Sequence, residues 1–502
     1  MLIMVLEKLE PRLVWEIFEN VFTKTPRCSK KEQKVRAALK NWVNQRAQKL
    51  SVDIQVNEDE AGNLLFKKNA TPGKESYPSI LLQGHLDMVC EKDRKDDFSF
   101  DRDPIPVRIQ KNGEWVDADE TTLGADDGIG MSLAIALLLD SAVEHGPLEV
   151  LATVDEETGL TGAFALNPQE MGIDSKLLIN IDSEDLGVIT IGSAGGGDTV
   201  FSKTDTRSHP PKFHEFSTLS VTGLLGGHSG VDIHLPRGNA NKIAARLLSA
   251  LLGEIPVVIS EWNGGSKRNA IPRSSTVVFG VPSDMATTAE AILSDERDQL
   301  YTYYKSGESP LEPDLSIEWS QAKPKNGFSI EESKSIICTL HTLPNGPLRF
   351  SPQIAGLVET SNNVAVIMTD AKGISIQMSS RSNLDSELVS KRRELAFLGA
   401  AFEWGVEQSQ AYPGWAPDPG NPFLKFVRQE YEKATGSKVR VEAVHAGLEC
   451  GILGANIPGL RMVSIGPTVE HPHSPDERLR IADVGTLYSL LKNILKGLPK
   501  SL

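Results

Sequence analysis

The chain has 502 residues, beyond the size at which one hydrophobic core keeps growing, so two domains are expected. Hydrophobic residues at 40% and charged residues at 24% describe an ordinary globular chain, and 52 basic against 67 acidic residues leave a formal net charge of -15. Binders of duplex nucleic acid or of anionic membrane surfaces carry a basic face, so neither partner is expected.

In chain order, the first segment, MLIMVLEKLE, has no basic n-region, and its apolar run stops at Glu7. No signal peptide is predicted. No apolar stretch approaches the ~20 residues that span a bilayer, so a cytoplasmic location is expected. Apolar strand-like runs then alternate with helical patterns, the mark of an α/β domain. Buried strands are predicted at Ser79–Leu82, Leu148–Val154 and Leu177–Ile181, each followed at once by acids or a histidine. MSLAIALLLDSAVEHG, from Met131, reads as a helix entering the core, with its first turn at Asp126–Asp127, where carboxylates suit the helix dipole.

After the glycine turn GSAGGGD, the polar stretch KTDTRSHPPKFHEF reads as a crossing into a second domain. That domain runs to about Tyr412, and YPGWAPDPGNP leads into a final α/β segment too short to stand alone. The predicted organisation is a catalytic domain of residues 1–203 and 413–502, interrupted by an inserted domain of residues 204–412. The four cysteines, Cys28, Cys90, Cys338 and Cys450, lie far apart without a C-x-x-C pair, so reduced and mostly buried thiols are expected.

Five short segments concentrate the candidate chemistry: LLQGHLDMV with His85 and Asp87, TTLGADDGIG with Asp126, ATVDEETGLTGA with Glu156 and Glu157, LINIDSEDLG with Asp182, and EHPHSPDER with His471 and His473. Taken singly, each has an ordinary structural explanation: a hydrogen-bonded His–Asp pair, a helix N-cap or a solvated turn. Four of them, however, fall where a predicted strand ends or a helix begins, which is where open α/β sheets bind their ligands. Asp182 directly follows a buried run, and a buried carboxylate needs a partner or a metal. Imidazole and carboxylate donors without thiolate suit zinc, and also manganese or cobalt; the histidines favour zinc.

These segments, together with GHSGVDIHLPRGNANK, RNAIPR, GLVETS, YPGW and HAGLECG, resemble the M20 metallopeptidases, and among them the aminoacyl-histidine dipeptidases. The resemblance spans nearly the whole chain. It implies a phosphorylase/hydrolase-like α/β catalytic domain, a mixed sheet flanked by helices, carrying an inserted α+β lid. It further implies two divalent metal ions, with Asp126 bridging both, His85 and Asp182 completing one site, and Glu157 and His473 the other. Glu156 would be the general base and Asp87 would orient His85. His473 is taken over His471 because it directly precedes SPDE. In the lid, His228 would steady the tetrahedral oxyanion, Asn269 and Arg381 would hold the substrate, and His445 would approach its C-terminal side. His234 is read as structural. The implied substrate is a small dipeptide with C-terminal histidine, carnosine-type dipeptides included.

The lid, near two hundred residues, is about twice a single ferredoxin-like unit, so His228 acting in cis or across a homodimer stays open at this point. A tripeptidase, an N-acyl-amino-acid deacylase and a non-catalytic peptide-binding relative are the competing readings. No G-x-x-x-x-G-K-[ST] loop and no G-x-S-x-G elbow occurs, which argues against a nucleotide site and a serine hydrolase of that type.

Overall fold

The computed structural model describes residues 4–209 and 214–502. Residues 210–213 of the expected crossing, and the first three of the N-terminal segment, lie outside the described residues. The chain forms two compact units, one of Met1–Gly192, Pro417–Ala443 and Leu448–Leu502, the other of Ser193–Ala416 and Val444–Gly447.

The first unit is built on an eight-stranded sheet. Its centre is four strands: β1 (Ile80–His85), β2 (Leu148–Thr153), β3 (Leu177–Asn180) and β4 (Arg461–Ser464). They lie in the order β2-β1-β3-β4, all parallel. Every residue of β1, β2 and β3 is buried, as expected of parallel strands covered on both faces. Strands Leu64–Lys68 and Val188–Ser193 flank this core antiparallel to it. The expected strands are therefore present, each within a few residues of its predicted bounds.

The predicted helix lies within Ala125–Leu139, where every residue but Asp126 is buried, but the expected first turn at Asp126–Asp127 is not helical: Asp126 is extended at ψ 112° and Asp127 has φ -105°. It stops short of the expected SAVEHG because Asp140 turns extended and its carboxylate accepts the Ala142 N–H at 2.8 Å. A short acidic side chain thus offers the backbone an alternative to helix. A small four-stranded sheet pairs Val469–Glu470 with Arg478–Arg480, and the loop between these two strands carries His473.

The second unit contains a nine-stranded sheet. Its pairings are all antiparallel, so the doubled length of this region is one continuous sheet. Helices Ala240–Leu251, Ala286–Lys305 and Ile330–Thr342 contribute to its apolar core, with Leu247, Leu248, Trp262, Leu293, Ile336 and Phe201 among the buried members. Ser329 and Glu332 form a capping box at the start of Ile330–Thr342, satisfying two backbone donors reciprocally.

One expectation is corrected. Cys28 and Cys90 are joined in a disulfide, with Cα atoms 5.7 Å apart, leaving only Cys338 and Cys450 as free thiols. Spacing hid the pair: 62 residues separate them, and only the fold lays Cys28 alongside Met88 in a parallel bridge. No described helix is long and apolar enough to cross a membrane.

Candidate metal centre

The carboxyl ends of β1, β2 and β3 place the candidate residues. His85 ends β1, Glu156 and Glu157 begin a short helix just after β2, and Asp182 follows β3 by two residues. The strand ends are locked laterally by a buried polar chain. Gln83 donates to Glu449 Oε2 at 2.6 Å and accepts from Asn180 at 2.8 Å; Thr153 also donates to Glu449, at 2.6 Å, and Ser464 donates to Asn180 at 2.5 Å. Each satisfied bond removes the cost of a buried polar group and fixes the register at which the ligands emerge.

Asp126 is the meeting point. Its Oδ1 lies 2.9 Å from His85 Nε2, and its Oδ2 lies 2.9 Å from His473 Nε2. His85 Nε2 is also 3.5 Å from Asp182 Oδ1, and His473 Nε2 is 3.0 Å from Glu157 Oε2. The five expected ligands are thus brought together as two groups that share Asp126. The other ring nitrogen of His85 faces Asp87 Oδ1 at 3.4 Å, long for a hydrogen bond, while Asp87 accepts the backbone N–H groups of Glu156 and Glu157 at 3.0 and 3.3 Å. Close approach is made possible by small residues. A Cβ on Gly84 or Gly130 would overlap the Asp127 carboxylate, which accepts the His85 N–H at 3.2 Å.

Burial of so many acids has electrostatic consequences. It pushes the Asp182 carboxyl up to about 6 and raises Glu156 well above the usual carboxylate range, with Asp182 and Glu157 adding repulsion. Burial also opposes ionisation of Asp126, but hydrogen bonds from His473 and His85 prevail and hold it far below its ordinary value. His473 is pushed up to about 11 by its bonds to Asp126 and Glu157. The donor set suits divalent cations: two imidazoles and three carboxylates, with Glu157 Oε1 buried and without a partner. His85, Asp126 and Glu157 each present a ligand atom within 4.8 Å of the others.

The remaining candidates lie in the second unit. His228 Nδ1 accepts the N–H groups of Gly230 and Val231 at 3.2 and 3.1 Å, so its ring hydrogen sits on Nε2. Burial first, then the charge of Arg381, lowers its pKa and keeps the ring neutral. Arg381 is buried and donates to Tyr412 Oη at 3.0 Å, while its Nε has no partner. His445 Nε2 meets Ser361 Oγ at 2.7 Å, and burial together with Arg381 lowers its pKa to about 3. Asn269 is exposed, and its carbonyl accepts the Ser229 N–H at 2.8 Å. His234, read as structural, is exposed with its ring on the Val231 carbonyl at 2.9 Å.

Residues 81–497 match the model of peptidase family M20/M25/M40. The chain belongs to this family. The cytosol non-specific dipeptidase of Escherichia coli K12 is 37% identical over 494 residues, covering 98% of this chain and 99% of that protein. The crystal structure of aminoacylhistidine dipeptidase from Vibrio alginolyticus matches with a TM-score of 0.89 and 36% identity over 98% of each chain. Aminopeptidase PepT from Bacillus cereus shares the fold, with a TM-score of 0.54 at 14% identity, covering 98% of this chain and 99% of that one. The expected mixed α/β architecture with catalytic and lid domains is therefore borne out, as is membership of the metal-dependent M20 peptidases, and the two full-length relatives at this level of identity are dipeptidases.

Three further buried residues, Glu449, Glu477 and Arg27, lie around the centre and were not among the predicted ones. Glu449 and Glu477 sit inside HAGLECG and HSPDE, so a signal existed, but nothing local gave either acid a task. Arg27, in TPRCSK, carried no signal, because an isolated arginine reads as a surface residue.

Proposed function

We propose that the chain is a metallodipeptidase that hydrolyses Xaa-His dipeptides, carnosine-type dipeptides included, at a dinuclear centre on the first unit. The observation that carries this reading is Asp126, whose two carboxylate oxygens each face a different histidine at 2.9 Å. His85 and Asp182 would hold one cation with Asp126, and Glu157 and His473 the other. Zinc fits the donors best, with manganese and cobalt as close alternatives. When bound, such ions polarise a peptide carbonyl and acidify water.

The chain's own residues supply the rest. Glu156 takes the proton of the attacking water and passes it to the leaving amine; its raised pKa suits a group that must hold that proton between the two steps. Asp87 holds the Glu156–Glu157 turn through its backbone bonds and faces the His85 ring. In the lid, His228 offers a neutral Nε2–H donor to the developing oxyanion. Arg381 presents a guanidinium with an unused donor to the substrate carboxylate, Asn269 helps to hold the substrate, and His445 approaches its C-terminal side. The preference for histidine rests on the likeness to the Vibrio aminoacylhistidine dipeptidase; the name of the E. coli relative favours a broader dipeptidase. That relative's name also supports a cytosolic site of action.

The test is a panel of β-alanyl-histidine, several Xaa-His and Xaa-Leu dipeptides, a tripeptide and N-acetylated amino acids, assayed with zinc or manganese. Cleavage concentrated on Xaa-His dipeptides is expected. Equal rates on Xaa-Leu would leave a non-specific dipeptidase. Absence of dipeptide turnover with both metals loaded, or faster turnover of the N-acetylated substrates, would overturn the proposal.

A further inference from the structure

The loop that delivers Asp126 is strung between two buried opposite charges that belong to neither ligand group. Glu477 is fully enclosed, and its carboxylate accepts four successive backbone N–H groups. Oε2 takes Leu123 and Gly124 at 2.8 and 2.9 Å, and Oε1 takes Ala125 and Asp126 at 2.7 and 3.4 Å. Arg27, equally buried, grips carbonyls. Its Nη2 donates to Gly124, its Nη1 to Leu86 and Asp87 at 3.1 and 2.7 Å, and its Nε to Phe22 at 3.2 Å. Neither Gly124 nor Gly128 could carry a Cβ without striking Arg27 Nη2.

The connectivity gives these contacts their meaning. Arg27 ties the chain just after His85 to the chain just before Asp126, the two segments whose side chains meet at 2.9 Å. Glu477, four residues after His473, ties the same Asp126 loop to the loop that supplies the second histidine. The peptide groups of residues 123–126 lie with N–H toward the anion and the Gly124 carbonyl toward the cation, so their dipoles are held before any metal arrives. The Met88 N–H donates to the Arg27 carbonyl at 3.1 Å, and the Cys28–Cys90 disulfide binds the same two segments covalently.

We infer that Arg27 and Glu477 are a pair of positioning residues that preorganise the Asp126 loop and thereby set the affinity of the dinuclear centre for its metals. The inference rests on Asp126 being a metal ligand, as proposed above. Neither residue touches the substrate or the reacting atoms. Outer partners of metal ligands are generally worth about 10–100-fold in affinity, and that is the size expected here.

The experiment titrates zinc or manganese into the metal-free full-length enzyme against a competing chelator, for wild type and for Glu477→Gln, Arg27→Lys, the double variant and Asp126→Asn. Glu477→Gln keeps the shape but turns an acceptor into a donor facing N–H groups, and Arg27→Lys keeps the charge but offers a single nitrogen where three guanidinium nitrogens reach four carbonyls. Each single variant is expected to weaken metal binding about 10–100-fold, with the double variant losing less than the product of the two, because both act on one loop. At saturating metal, the peptide KM should stay near wild type while kcat falls. Folded single variants with wild-type metal affinity would overturn the inference. If Asp126→Asn itself binds two metals normally, the assignment of Asp126 fails instead. Should the variants not fold, amide hydrogen exchange on metal-free wild type decides. Protection of the Leu123–Asp126 amides before metal is added supports preorganisation, and protection appearing only with metal refutes it.

Discussion

Two sets of candidate histidines, one in each unit, are driven in opposite directions. In the first unit, His473 sits against Asp126 and Glu157 and is pushed up to about 11; in the second, His445 is buried near Arg381 and falls to about 3, and His228 is lowered by burial and the same arginine. One side chain therefore serves two chemistries, set by the charges packed around it. The acid-rich cluster has the electrostatics of a site that waits for cations. The arginine-centred cluster keeps its imidazoles neutral, able to donate or accept a hydrogen bond without carrying charge.

Three substitutions put this contrast to the test. The largest effect is expected from Glu156→Gln, which keeps the shape of the acid cluster but removes its proton acceptor. Turnover should fall by about 10²–10⁴-fold while metal stoichiometry, measured by metal analysis of the purified enzyme, stays at the wild-type level. A near-normal rate would transfer the base to another group. Next in size, His228→Gln should reduce kcat by about 10²–10³-fold with little change in KM, as for loss of one oxyanion donor. Mixing the inactive Glu156 and His228 variants then separates the two arrangements of the lid histidine. Recovered activity means that His228 acts across a dimer, and none means that it acts within its own chain.

The smallest effect probes the arginine cluster. Arg381→Met should raise KM about tenfold for dipeptides bearing a free carboxylate, and should let the His445 pKa climb from about 3 toward its ordinary value, readable by NMR titration. The sign follows from linkage. His445 is harder to protonate when folded, so its contribution to stability is complete above the unfolded value near 6.5 and is lost as pH falls from there toward 3. In Arg381→Met, the acid loss of stability should therefore be shallower over that window. An unchanged slope would mean that burial alone lowers His445.

Much of the centre was legible in the chain. His85, Asp126, Glu157 and Asp182 stand at the ends of runs whose apolar character announces a covered parallel strand or a core helix, and that pattern is local. His473 was placed by its neighbours SPDE, since its own loop has no periodicity to read. The core helix through Met131 was foreseen but neither of its ends: Asp126 and Asp127 leave helical geometry to deliver a ligand, and Asp140 stops the helix through a side-chain bond that no propensity sum contains.

Residue type and short-range periodicity are enough to specify the donors, their order along the chain and the strand ends that carry them. How those donors are held depends on contacts between distant parts of the chain. Glu477 reaches the Gly124 amide across 353 positions, Arg27 reaches Asp87 across 60, and Cys28 reaches Cys90 across 62. A buried charge shows its purpose only through the groups that satisfy it, and for Glu477 and Arg27 those groups are backbone amides and carbonyls, which look alike at every position of the sequence.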